Sequence, residues 1–177
     1  MAIIYPSPDV YKASYPKAIS WDADMPCHPV FDMLENTAKS FGTHAAFDFM
    51  GHRMTWGDVY ESSLKLARAL QDKGIGKGMR VGLFLPNCPY FLIGYYAIAR
   101  TGATIVNFNP LYSERELSHQ INDSGTQVMI TADLELFGGE MKGMRTQSWL
   151  KKPGICRFAG VLPFPKNILF PLLKRKE

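Results

Sequence analysis

Two glycine-rich stretches have residue types that cradle phosphate through backbone amides. Gly74-Ile75-Gly76-Lys77-Gly78-Met79 begins with the glycine spacing of a dinucleotide loop, in which the amides at a helix start meet a pyrophosphate. Met79 stands where the third glycine is needed, and the stretch precedes a predicted strand where the loop should follow one. Tested as G-x-x-x-x-G-K-[ST], the same stretch has Gln71 at the first glycine and Gly78 in place of the hydroxyl that holds magnesium. It reads as a helix end and turn. Ser124-Gly125-Thr126 also opens like a phosphate loop, but Gln127 follows and the Pro-Lys-Gly continuation is absent. This too reads as a helix end.

Nucleophiles and metal ligands are no better placed. His28, His44, His52 and His119 have no Ser, Cys or acidic partner beside them in a nucleophile motif. Cys27, Cys88 and Cys156 are far apart and lack zinc-ligand spacing, so neither a metal site nor a disulfide framework is expected. A reducing, cytoplasmic setting fits them. Trp56, Tyr95 and Tyr96 have the chemistry to line a ligand groove, although aromatics on helices beside a sheet usually belong to the core. No catalytic, cofactor-binding or metal residue is therefore assigned.

Charge and length narrow the function classes further. A net charge of +4 from 20 basic and 16 acidic residues, scattered along the chain, is not the clustered basic stripe of a nucleic-acid binder. A chain of 177 residues has room for one core. The amino terminus, Met1-Ala2-Ile3-Ile4-Tyr5-Pro6, lacks the basic, apolar and small-residue succession of an export signal. The most apolar run, Cys88 to Ala99, stops at Arg100, short of the roughly 20 residues that cross a bilayer, and reads as a buried helix.

The elements that must position these residues follow from periodicity. Residues 1–29, rich in Pro, Tyr and Asp, read as an extended arm whose aromatics pack on the body. Val30, Phe31, Leu34, Ala38 and Phe41 form a helical stripe closed by Gly42. Ala45 to Phe49 and Arg53 to Thr55 flank Met50-Gly51-His52 as a hairpin. Thr55 and Asp58 have capping-box spacing ahead of a helix with Val59, Leu66, Ala67 and Leu70 on one face. Arg80 to Leu85 reads as a strand, Pro89 to Arg100 as a helix, and Thr104 to Phe108 as a strand. Ser113 and Glu116 repeat the capping box before a helix closed by Gly125, and Gln127 to Thr131 is the next strand. After Asp133 glycines and Pro153-Gly154 interrupt the pattern, with Ile155 to Leu162 as a last strand. Short apolar strands alternating with helices predict an α/β fold: a partial parallel sheet with flanking helices.

Several of these segments, taken in order, resemble AMP-forming acyl-CoA synthetases, most closely the bacterial long-chain fatty-acid branch. They are Met54-Thr55-Trp56-Gly57-Asp58-Val59, Gly74 to Val81, Leu85-Pro86-Asn87-Cys88-Pro89, Ala99-Arg100-Thr101-Gly102-Ala103, Asn109-Pro110 through Arg115-Glu116, and Val128-Met129-Ile130-Thr131. Each is a common local pattern, and the ordered set carries the resemblance. It implies that residues 30–133 are the first part of the large N-terminal domain of the adenylate-forming ligase fold, with residues 134–177 a divergent segment.

The family joins a fatty acid to AMP and then to CoA, using ATP, magnesium and CoA. The resemblance also implies that the phosphate loop, the ribose-binding acid, the following arginine and the catalytic lysine lie beyond this chain, which is expected to be inactive alone. A non-catalytic interaction or membrane-docking module is the alternative. Ile168, Leu169, Phe170, Leu172 and Leu173 beside Lys166, Lys174, Arg175 and Lys176 suit weak contact with anionic membrane at the inner face. Pro171 limits any helix there, and the oligomeric state is left open.

Overall fold

A computed structural model describes residues 8–25, 27–133, 152–157, 160, 162, 163 and 165–167. The elements in chain order are α1 (Pro8–Lys12), α2 (Val30–Phe41), β1 (Ala45–Phe49), β2 (His52–Thr55), α3 (Trp56–Asp72), β3 (Arg80–Phe84), α4 (Pro89–Thr101), β4 (Thr104–Phe108), α5 (Glu114–Ser124), β5 (Val128–Ala132) and β6 (Lys152–Cys156). β3 to β6 form a sheet of order β4-β3-β5-β6 in which every pair is parallel, and β1 and β2 form a separate antiparallel hairpin.

Both capping boxes form. Asp58 N donates to Thr55 Oγ1 at 3.1 Å while Thr55 N donates to Asp58 Oδ2 at 2.8 Å, so two amides that α3 would leave open are satisfied. Ser113 and Glu116 repeat the exchange at the start of α5, where Ser113 N donates to Glu116 Oε2 at 2.9 Å. Gly102 and Gly125 close α4 and α5 in the left-handed conformation. Gly42 follows α2 in the right-handed region instead, and its carbonyl accepts from Gly57 N at 2.9 Å, which draws α2 against the start of α3.

The chain moves from β3 through α4 to β4 on one side, then back across β3 through α5 to β5 on the other. Right-handed crossovers run in opposite directions put α4 and α5 on opposite faces of the sheet. On the α4 face the fit is close: a Cβ at Gly94 would lie 3.0 Å from Leu83 Cδ2. On the other face a Cβ at Gly82 would meet Met129 Sδ at 2.6 Å and Phe108 Cε2 at 2.8 Å, so these two side chains cross β3 where it has none. Val81, Leu83, Phe84, Ala97, Ile98, Leu117 and Met129 are fully buried in this main core. A second, smaller cluster of Phe31, Leu34 and Val59 lies among α2, α3 and α4, with Trp56 and Tyr96 packed against it.

Four expectations are adjusted. The hairpin loop is two residues, because His52 already pairs with Phe49, and Met50 and Gly51 both take positive φ, 56° and 93°. That matches the twist of a tight hairpin. The stripe on α2 is buried only at Phe31 and Leu34; Val30 and Phe41 are 44% and 54% exposed, since the helix meets its neighbours along a narrow line. The last strand is Lys152–Cys156, earlier than Ile155 to Leu162, and it contains Pro153-Gly154. Pro153 is tolerated because β6 is an edge strand, where a missing N–H breaks no internal ladder. In the arm, residues 8–25 hold the single turn α1, and Tyr15 and Tyr11 pack on Trp21 at ring distances of 4.8 and 6.5 Å.

Most of the apolar, basic segment expected to meet lipid lies outside the described residues. Of its described part, Leu162 is buried and Lys166 Nζ donates to Met50 O at 3.3 Å. Among the described residues no helix is long and apolar enough to cross a membrane.

Candidate functional site at the strand ends

In an open α/β sheet, ligands are met outside the carboxyl ends of the strands, where the strand order reverses. Here that point lies between β3 and β5. A cleft of about 240 Å³ stands beside it, lined by Phe47, Asp48 and Phe49 of β1, Asn87, Cys88 and Pro89 of the β3–α4 turn, and Phe91 and Leu92 of α4. The walls are largely apolar because the pleat of β1 turns Phe47 and Phe49 to one side and the first turn of α4 offers Phe91 and Leu92.

Its polar groups are few. Asp48 Oδ2 accepts from Arg53 Nε at 3.0 Å and Oδ1 from Gly51 N at 2.9 Å; these bonds, the Arg53 one foremost, hold its carboxyl below the usual range. Asn87 is exposed on the wall, and Cys88 is buried, which pushes its thiol up. At the neighbouring strand end Tyr90 donates its hydroxyl to Arg157 O at 2.9 Å. Cys156 is pushed up to about 11, first by burial and then by Cys88 and Asp133 nearby.

This donor set does not fit a triphosphate with magnesium. Among the described residues that line it there is no lysine or arginine, and the carboxylate of Asp48 is already engaged. Among the described residues no group of three or more His, Cys, Asp or Glu is placed to hold a metal ion. Both glycine-rich stretches precede strands, β3 and β5, and so lie at the amino ends of the sheet, away from the cleft. Gly74 is in the turn after α3 and Gly125 is the helix end of α5, as their sequence context indicates.

Of the motif segments, Leu85 to Pro89 reaches the cleft. Asn109, at the end of β4, spends its side chain on its own turn, where Oδ1 accepts from Leu111 N at 3.0 Å. Trp56, Tyr95 and Tyr96 are half-buried and pack against the two core clusters, away from the lining of the cleft. His28, His44 and His119 are exposed, and His52 is half-buried in β2. Sequence reasoning passed over Phe47, Asp48 and Phe49 as cleft residues, because nothing local in a hairpin says which loop it will face.

A doubly wound sheet with an apolar cleft at its switch point is the class that the geometry defines. A family model described as "AMP-binding enzyme" matches residues 34–164. The long-chain-fatty-acid–CoA ligase of Bacillus subtilis (strain 168) is 39% identical over 165 residues, 93% of this chain and 29% of that relative. The ligase of the same name from Escherichia coli O157:H7 is 37% identical over 121 residues, 68% of this chain and 21% of its own length. Among solved structures, the N-terminal domain of FACL13 from Mycobacterium tuberculosis superimposes with a TM-score of 0.68 at 25% identity, over 73% of this chain and 34% of that one. The long-chain-fatty-acid-CoA ligase FadD1 from Archaeoglobus fulgidus also gives 0.68 at 25% identity, over 76% of this chain and 28% of its own.

The chain belongs to the AMP-binding enzyme family and corresponds to an N-terminal part of its long-chain-fatty-acid–CoA ligase members. It spans less than a third of the length of these curated relatives. A 165-residue match within 177 residues has to include the stretch from 134 to 151, so the likeness extends past Asp133.

Proposed function

We propose that this chain supplies the opening part of the large domain of an ATP-dependent long-chain fatty acid–CoA ligase. In the reaction proposed for the whole enzyme, a fatty carboxylate attacks the α-phosphorus of ATP, giving acyl-AMP and pyrophosphate. The CoA thiol then displaces AMP and loses its proton, giving acyl-CoA. The 39% identity to the Bacillus subtilis ligase over 165 residues carries this reading.

The chain's own contribution is a scaffold: a buried parallel sheet whose strand ends form one wall of a cleft. The described residues of the cleft include none of the cations that the pentavalent phosphorus requires, which supports the reading that the chain alone forms no acyl-adenylate. Pyrophosphate release from palmitate, ATP and magnesium reads this directly. Release no higher than a no-protein control is expected, and fatty-acid-dependent release by the purified chain would overturn it.

Cytoplasmic placement with weak contact to anionic lipid at the inner face belongs to the same reading. With Leu162 turned inward and Lys166 on Met50, that contact falls to residues 168–177. Co-sedimentation with phosphatidylglycerol vesicles, with and without those residues, tests it; equal binding, or binding insensitive to salt, would remove it.

A further inference from the structure

Residues that follow β6 touch both walls of the cleft. On the α4 side, Tyr90 stands between Pro89 and Phe91 of the lining, and its hydroxyl donates to Arg157 O at 2.9 Å. Gly160 fits against the same hydroxyl, where a Cβ would lie only 2.8 Å from it. On the hairpin side, Met50 and Gly51 continue from Phe49 of the lining. Lys166 Nζ donates to Met50 O at 3.3 Å, and a Cβ at Gly51 would lie 3.9 Å from Pro163 Cγ. Among the described strands the hairpin shares no ladder with the main sheet, so side-chain packing and these contacts hold the two walls together.

The two ends of this tie differ in quality. The Tyr90 end continues directly from β6, which is paired with β5 from Lys152 to Cys156. The hairpin end is looser. Its bond comes from an exposed lysine and is long for an N–H donor. The next residue, Asn167, buries Oδ1 with no hydrogen-bond partner among the described residues, and a buried acceptor without a donor opposes its own burial. The turn that Lys166 holds is also strained, because Met50 keeps a φ of 56° where tight hairpin turns favour Asn, Asp or Gly. Strain and an unmet acceptor place this end nearer to release than the other.

We propose that this tie is a strap on the cleft, fixed at Tyr90 and releasable at Met50-Gly51, and that an alkyl chain enters when the releasable end lets go and is retained when it is seated. The occupant follows from the walls. Phe47, Phe49, Phe91 and Leu92 present apolar surface, and the volume of about 240 Å³ exceeds the roughly 150 Å³ of an apolar cavity that accepts benzene. The polar head of the chain stays outside, where Asp48 already answers Arg53. Ligand and seated strap each favour the other, so the coupling is reciprocal. The inference rests on the proposed function only in choosing an alkyl chain over another apolar group.

The test titrates octan-1-ol, a neutral alkyl chain that Asp48 does not repel, into the isotope-labelled 177-residue chain and follows its amide resonances. Shifts are expected at Phe47, Phe49, Phe91 and Leu92. Saturation is expected to slow amide exchange at Gly51 about fivefold as the strap seats, the low end of a coupling between two sites. Lys166→Met and Tyr90→Phe, which loosen opposite ends of the tie, are each expected to speed octanol dissociation about fivefold while the resonances of Val81 and Leu83 in the sheet stay in place. No binding, shifts away from the cleft, or an unchanged dissociation rate in either variant would overturn the proposal. Where a variant fails to fold, the unmutated chain decides: an unchanged Gly51 exchange rate under saturating octanol removes the strap. The two proposals fail separately. Strap-controlled octanol binding together with palmitate-dependent pyrophosphate release sinks the scaffold reading and keeps the strap, and strap-independent binding without pyrophosphate release does the reverse.

Discussion

The guanidinium carbon of Arg100 lies 4.7 Å from the centroid of the Phe31 ring, joining the end of α4 to the start of α2. Phe31 is 1% exposed and anchors the smaller core cluster, so the cation closes a site that is already packed. Arg100→Met keeps an apolar stem and removes the charge. It is expected to lower stability by about 0.5–1 kcal/mol, the range for a partly exposed cation–π contact. Urea unfolding followed by circular dichroism checks this, with an unchanged midpoint as the contrary result.

Gly82→Ala is expected to cost more. The new methyl meets Met129 Sδ and Phe108 Cε2, on side chains that are 0% and 3% exposed, so neither has space to retreat. Overpacking of this kind costs about 1–3 kcal/mol. The double variant Gly82→Ala, Met129→Val should recover part of the loss, and no recovery in its urea midpoint would show that Phe108 is the limiting contact.

The first capping box predicts a pH dependence. The amide of Thr55, then its hydroxyl, hold the Asp58 carboxyl below its ordinary range in the folded chain. A depressed folded value means that the stabilisation is complete above the unfolded value, near pH 4, and is lost as pH falls through the folded one. Asp58→Asn should therefore differ from the parent most above pH 5, and the gap should close toward pH 2. Thr55→Ala is expected to cost about 1 kcal/mol at neutral pH. Urea midpoints across the pH series measure both, and parallel curves would contradict the assignment.

The cysteines should separate by reactivity. Cys27 is exposed, Cys88 is buried, and Cys156 is pushed up to about 11. At pH 8 a thiol of that kind is thiolate to only about one part in a thousand. Iodoacetamide labelling followed by mass spectrometry is expected to mark Cys27 first, and Cys88 and Cys156 only on unfolding. The same shift opposes folding at alkaline pH: above about 8.5 the unfolded thiols ionise first, and the loss grows toward pH 11. Cys156 is only half-buried, so it is the raised thiol that protects it, and early labelling of Cys156 in the folded chain would refute that shift.

Features that depend on a few adjacent residues were legible before any coordinates. Thr55 with Asp58 and Ser113 with Glu116 are closed within one helical turn, so spacing alone determines them. The parallel sheet follows from the alternation of strand and helix. What escaped depends on distant partners. Pro153-Gly154 carries the local signature of a break, and only pairing with β5 makes an edge strand of it. The cleft brings Phe47 to Phe49 against Asn87 to Leu92, about forty residues further on, and no period in either segment encodes that meeting.

The strand order has a consequence for synthesis. β3 is made first of the four, yet it ends with a neighbour on each side. Its second neighbour, β5, is completed at Ala132, some distance after Phe84. At a ribosomal rate of 5–20 residues per second, that interval is about 2–10 s. During it Val81, Leu83 and Phe84, each 0% exposed at the end, have one flank uncovered. A nascent chain paused between these strands would present this buried, apolar strand with one edge still open, the kind of surface that makes partly folded chains prone to aggregate.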